Sequence, residues 1–243
     1  AKKATWAEVF SKKLRKPLTI GIGLAVFQQI TGINAIIYYA NKIFAQAGFV
    51  TPEGQAAATT WAIGAVNVLA TLIAVVYVDR FGRRPLLLAG LVGMTLSLTT
   101  VGVTFHFMDK ADTSGAGAGG PTTAGLITLV ALVVFIASFA FSLGPVVWTV
   151  INEIFPNRVR GRAVAVATAF NWGSAWLVSQ FFLTLIEKIG NSATFYLFGF
   201  FAVVAYVWIW KTVPETKGRS LEEIQQIWED EDPVQVQRDA GTL

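Results

Sequence analysis

The segment QQITGIN, residues 28–34, puts three carboxamides and a glycine into a stretch without charge from Leu18 to Asn41. A carboxamide offers two N–H donors and a carbonyl acceptor with no net charge. Gln28, Gln29 and Asn34 therefore suit a neutral ligand rich in hydroxyl groups. A carboxylate ligand would call for Arg or Lys instead. Two further amides have similar surroundings: Asn67 in the charge-free run 54–78, and Asn171, next to Trp172, in the run 163–186. At about 1.5 Å per helical residue, Gln28 lies about 18 Å from Lys16, Asn67 about 18 Å from Asp79 and Asn171 about 14 Å from Arg162. These depths fall near the middle of a bilayer, where polar side chains face the bundle interior or a wet cavity. One amide at that depth reads as a tie between helices; several at one level favour a polar chamber. Trp172 offers a flat apolar face, for a sugar's C–H side or simply for packing. Trp148 is only about 7.5 Å from Glu153, the position of an interfacial tryptophan.

The elements that carry these residues follow from the charges. The chain has 243 residues and is 14% charged, well below the roughly 25% of soluble domains. No Asp, Glu, Lys or Arg occurs in 18–41, 54–78, 85–108, 113–152, 163–186 or 189–210. Each window reaches the ~20 residues a helix needs to cross a bilayer. The ten-residue alternation of a barrel strand is missing. The fold expected is an all-α membrane protein of six transmembrane helices over 18–211, with a cytoplasmic segment at 1–17 and a cytoplasmic tail at 212–243 holding a short helix. Sixteen basic residues precede, follow or alternate with the spans on one side, against Lys42, Lys110 and Lys188 on the other. Lys/Arg-rich loops stay in the cytoplasm, so both termini are expected there, in a cell membrane. The outer loops are then 43–55, 108–123 and 187–192. The glycine-rich TSGAGAGGP (113–121) reads as a flexible linker. The basic balance is topological and implies no nucleic-acid partner.

Six spans with both ends inside fit two inverted three-helix repeats, whose first helices are often broken near a substrate. Span one is interrupted at TGIN (31–34) and span four at SLGPVVW (142–148). Pro145 cannot donate a backbone hydrogen bond, and Gly32 and Gly144 loosen the chain. The same breaks also occur as plain structural kinks. With no cysteine, a single histidine (His106) and no carboxylate within a span, the chain lacks the parts of an enzyme, and no metal or cofactor is expected. In the tail, Ser220 and Glu223 form a capping-box pattern.

Four motifs then carry a resemblance: QQITGINAIIYY (28–39), DRFGRRP (79–85), GPVVWTVINEIFPNRVRG (144–161) and PETKGRSLEEI (214–224). In order and spacing they resemble the sugar porters of the major facilitator superfamily, across essentially the whole chain, and match the C-terminal half of that twelve-span fold. The resemblance implies that an N-terminal six-helix half lies outside this chain and partners it. It implies carriage of a neutral monosaccharide, hexose or pentose. Gln28, Gln29, Asn34, Asn67, Trp148, Asn171 and Trp172 would form the sugar site, with Trp148 at the cavity floor. Tyr38 and Tyr39 would form an outer gate. Arg83, Arg84, Glu153, Arg160 and Glu215 would form a charge network latching the inner side; taken alone, these charges also read as solvated, topology-setting pairs. An acidic residue that some glucose facilitators carry before the Gly-Pro break is absent, Ala140 lying near that point. Other readings are a carrier for a cyclitol or a drug, and an isolated half without transport activity. Uniport and proton symport are not separated, because a coupling carboxylate would belong to the other half.

Overall fold

The computed structural model describes residues 4–46, 49, 51–110, 123–229 and 232–243. The glycine-rich 113–121 segment lies outside these. Among the described residues every regular element is helical. The elements are α1 (Trp6–Val9), α2 (Arg15–Ile30), α3 (Ile33–Tyr38), α4 (Ala40–Gln46), α5 (Pro52–Thr59), α6 (Val66–Phe81), α7 (Arg83–Lys110), α8 (Thr123–Phe141), α9 (Pro145–Ile154), α10 (Asn157–Thr212), α11 (Leu221–Ile227) and α12 (Pro233–Asp239). A 3-10 turn, Lys12–Leu14, leads into α2, and a π-helical turn, Thr60–Ala65, joins α5 to α6.

Five stretches are long and apolar enough to cross a membrane: Lys12–Tyr38, Pro52–Phe81, Arg83–Phe107, Thr123–Ile154 and Asn157–Thr212. The last has 56 residues, about 84 Å of helix and far more than one bilayer crossing. Gly190 breaks it, with φ 86° and ψ 168°, a left-handed setting that glycine tolerates best. The break is a reversal. The rings of Phe182 and Phe198 stack 6.0 Å apart, whereas a straight helix would separate these positions by about 24 Å. The 187–192 segment, expected as an outer loop, is thus a helical corner: one glycine turns the chain and leaves no room for a loop. Helix also begins at Arg15 rather than Leu18, because a basic residue can sit in the interfacial turn with its charge in water.

The interior is built on close helix contacts. Gly90 and Gly93 of α7 face Ser142 and Ser138, where a β-carbon would come within 1.8 Å and 2.1 Å of the serine hydroxyls. Small residues let such backbones approach. Farther along α7, Phe105 stacks on Phe195 at 5.5 Å, and the Ser192 hydroxyl donates to the Gly102 carbonyl. The outer surface is apolar. On α6, Val68, Leu69, Leu72, Ile73, Val75 and Val76 are all exposed, as befits a face turned to lipid or to another apolar surface.

Candidate functional site

The site is set by two helix interruptions. Helix α2 stops at Ile30, and Gly32 takes φ +100° before α3 restarts at Ile33. A β-carbon at Gly32 would also press on the Phe198 ring at 3.1 Å, so both conformation and space call for glycine. The corner brings the end of α2 against the start of α3, and the Asn34 amide donates to Gln29 Oε1 at 2.5 Å. The second interruption, Ser142–Gly144, separates α8 from α9. There Gln28 Nε2 donates to the carbonyls of Leu143 at 2.8 Å and Gly144 at 3.1 Å.

Asn171 joins from α10. Its amide nitrogen donates to Ala25 O at 2.9 Å and Gln28 Oε1 at 2.7 Å. Gln29 Nε2 donates to Asn171 Oδ1 at 3.3 Å and Gln28 Oε1 at 3.4 Å. Gln28, Gln29 and Asn171 are 4%, 6% and 2% exposed, so these bonds form in a low-dielectric interior where an unmade one is costly. Four uncharged amides from three elements thus converge at one place. They offer donors and acceptors that a hydroxylated ligand could replace one for one.

The other expected ligands are placed differently. Trp148, one turn beyond Gly144 on α9, is half-buried against the core. Trp172 is 62% exposed and stands on the open side of α10, beside buried Asn171. Asn67, half-buried on α6, makes no hydrogen bond to the cluster among the described residues. Equal height along a helix does not bring side chains together, because helix rotation sets the direction each one takes. The paired tyrosines diverge too. Tyr39 stacks on Phe182 at 5.1 Å and donates to Ser179 O at 3.4 Å, while Tyr38 is exposed.

At the basic end a second constellation joins the ends of α6, α7, α9 and α10. Arg83 grips Glu153 with two parallel bonds, Nε to Oε2 at 3.0 Å and Nη2 to Oε1 at 2.6 Å, the strong bidentate geometry. Asp79 adds an ion pair to Arg83 at 3.1 Å. Glu215 acts on backbone: its carboxylate accepts from the N–H groups of Arg83 at 3.1 Å and Arg84 at 3.0 Å. It supplies, from 132 and 131 residues away in sequence, roughly the cap that Gly82 has no side chain to provide. Gly82 itself, at φ +88°, would place a β-carbon 2.7 Å from Glu215 Oε2.

Not every expected member takes part through its charge. The guanidinium of Arg84 donates to the Trp210 carbonyl, so its hydrogen bond to Glu215 is made by the backbone. Arg160 corrects the expectation more fully: it turns back onto Phe155 O at 3.1 Å and pairs with neither glutamate. It sits one turn into α10, past the Pro156 corner, where the carbonyl left free by that corner is the nearer partner. Three participants were not foreseen, Asp79 among them. Thr216 donates to Glu153 Oε2 at 2.6 Å, and Gln237 holds Glu215, as described below. Thr216 was findable as the neighbour of Glu215 within PETKGR; nothing in the sequence marked Gln237. Among the described residues no three His, Asp or Glu side chains gather as a metal site would require.

Comparison with known proteins places this geometry. Residues 1–228 match the family described as sugar (and other) transporter. The chain is 38% identical over 222 residues to an arabinose-proton symporter of Bacillus subtilis, covering 91% of this chain and 45% of that protein. It is 39% identical over 218 residues to the facilitated trehalose transporter Tret1 of Apis mellifera ligustica, covering 90% and 41%. The solved proton:xylose symporter XylE bound to 6-bromo-6-deoxy-D-glucose superposes with a TM-score of 0.74 at 34% identity, over 87% of this chain and 42% of that one. The chain therefore spans less than half the length of the relatives it matches. With nearly all of its sequence inside the shared pattern, the chain belongs to the sugar transporter family.

Proposed function

We propose that this chain is the C-terminal, six-crossing half of a sugar carrier of the major facilitator type, its crossings arranged as two inverted triplets, and that it supplies most of the sugar-binding groups. The amide cluster carries this reading. Gln28, Gln29, Asn34 and Asn171 bond to one another where both interrupted helices meet. A sugar arriving there exchanges its lost water bonds for amide bonds, with no charge to neutralise. The ligand class is a neutral monosaccharide, hexose or pentose. The names of the relatives, with arabinose, xylose and trehalose among them, favour a sugar over a drug or cyclitol.

An N-terminal half, facing the open side that carries Asn67 and Trp172, completes the chamber. Tyr38 and Tyr39 shut it toward the outside. The charge network around Arg83, Glu153 and Glu215 latches the inside, and breaking several such bonds together moves a two-state equilibrium by a few kcal/mol. Lys/Arg placement sets both termini in the cytoplasm of a cell membrane. Any proton-coupled stroke takes its titrating carboxylate from the other half.

The test is uptake of labelled arabinose, xylose and glucose into proteoliposomes holding the full-length carrier, with and without a pH gradient. Gln28→Ala removes the donor to Leu143 and Gly144 as well as a sugar contact. At about 1–3 kcal/mol per unmatched buried group, KM rises roughly 5- to 150-fold. Unchanged uptake in a folded Gln28→Ala carrier would take Gln28 out of the site.

A further inference from the structure

Helix α12 lies beyond residue 228, where the family match ends. Seven residues are too few to hold a helix in water without tertiary contacts, so α12 exists because it docks. It is capped by Asp232, which accepts from Gln235 N at 3.0 Å, and it buries Val234 and Gln237. Apolar burial explains the valine. Gln237, 3% exposed, is spent on one residue. Its Oε1 accepts from Glu215 N at 2.9 Å, and its Nε2 donates to Glu215 O at 3.0 Å. Two bonds from one amide to one backbone unit form a closed ring that fixes the position of Glu215. Beside it, Arg238 donates to Trp210 O at 2.8 Å and lies 4.0 Å above the Trp210 ring. That is the carbonyl Arg84 also uses.

We propose that α12 is a strap on the inner charge network and that Gln237 is its positioning residue. While α12 is docked, the Glu215 carboxylate stays on the first N–H groups of α7, and the ends of α7, α9 and α10 stay together. When α12 undocks, Glu215 loses its backbone anchor and the inner end loosens toward opening. The inference rests on the latch reading above, but its test needs no sugar.

The experiment is hydrogen–deuterium exchange on the full-length carrier, comparing Gln237→Ala and a truncation after Glu229 with the parent. Both changes should speed exchange about tenfold at the amides of Arg83 and Arg84, more than 140 residues away in sequence, and also along residues 148–154 of α9. Gln235→Ala, which loses a bond to Asp239 on the exposed face, should leave both regions unchanged. Unaltered exchange at Arg83 and Arg84 in Gln237→Ala overturns the proposal. So does acceleration there without acceleration in α9, or equal acceleration by Gln235→Ala. Sugar uptake in the same preparations reads the carrier function separately, so failure of one does not mimic failure of the other.

Discussion

Asn171 and Asn67 form a matched pair of perturbations, because the sequence places both asparagines near mid-span and only one belongs to the bonded cluster. Asn171→Ala deletes three hydrogen bonds: to Ala25 O, to Gln28 Oε1 and from Gln29 Nε2. Side-chain bonds between membrane helices average about 0.6 kcal/mol each, which gives a loss near 2 kcal/mol for the three. The cavity left at a site 2% exposed adds to this, so about 2–3 kcal/mol is expected. At about 2–4 °C per kcal/mol for a chain of this size, the melting temperature falls by roughly 4–12 °C. Asn67→Ala removes no bond to the cluster and costs within about 0.5 kcal/mol. Sugar affinity should fall in both if Asn67 lines the chamber as proposed. The assay is thermal unfolding of the purified full-length carrier without sugar, followed by uptake kinetics. Equal destabilisation by the two changes, or none from Asn171→Ala, refutes the view that the cluster is a tie between helices as well as a site.

Further outcomes follow from single contacts. Gly90→Val should prevent α7 and α8 from packing, because its β-carbon would lie 1.8 Å from Ser142 Oγ and 2.8 Å from the Ser138 carbonyl; the folded fraction in size-exclusion chromatography should collapse. Gly161→Ala, on α10 with nothing within 4 Å, should instead stabilise by about 0.4–1 kcal/mol, read as a higher melting temperature. Glu153→Gln weakens the grip on Arg83 and costs about 1–2 kcal/mol at a partly exposed pair; exchange at Arg83 should quicken. In the tail, Ser220 N donates to Glu223 at 2.7 Å, and this backbone bond, then the Ser220 hydroxyl, holds the Glu223 carboxyl below its ordinary value of 4.5. A lowered value means the cap contributes at neutral pH and is lost as pH falls from 4.5 through the folded value; amide protection at the start of α11 should fade over that window.

What could be read from sequence was whatever is written locally. Charge-free windows marked the spans, because desolvating a charge in lipid is costly wherever it occurs. Gly32 and Gly144–Pro145 marked the interruptions, and the capping box at Ser220 is formed as its pattern requires. Height along a helix could be counted, and this placed Gln28 and Asn171 at one level. Azimuth could not: nothing near Asn67 or Trp172 says which way they turn. The same limit separated Arg83 from Arg160. Both are arginines of the basic end in similar company, yet one reaches Glu153 and the other bends back to Phe155 O. Gln237 was invisible for a different reason. Its partner is a backbone unit 22 residues away, and either of the two glutamines of the short helix PVQVQRD looks like any solvated residue.

The two interrupted helices are not merely similar; they touch. Gln28, from the last turn of α2, spends both amide protons on carbonyls at the α8–α9 break. The amide proposed to hold a sugar is therefore the one that fastens the start of α9. A sugar hydroxyl that accepts from Gln28 must take a proton now given to Leu143 or Gly144, and α9 is then held less firmly. Nine residues beyond Gly144, the same rigid helix carries Glu153, the partner of Arg83. In the proposed carrier, the sugar chamber and the inner charge network thus lie at two ends of one ten-residue helix, about 15 Å long. On that proposal, coupling between them would need no relay of side chains, only a tilt of α9 about its glycine–proline start.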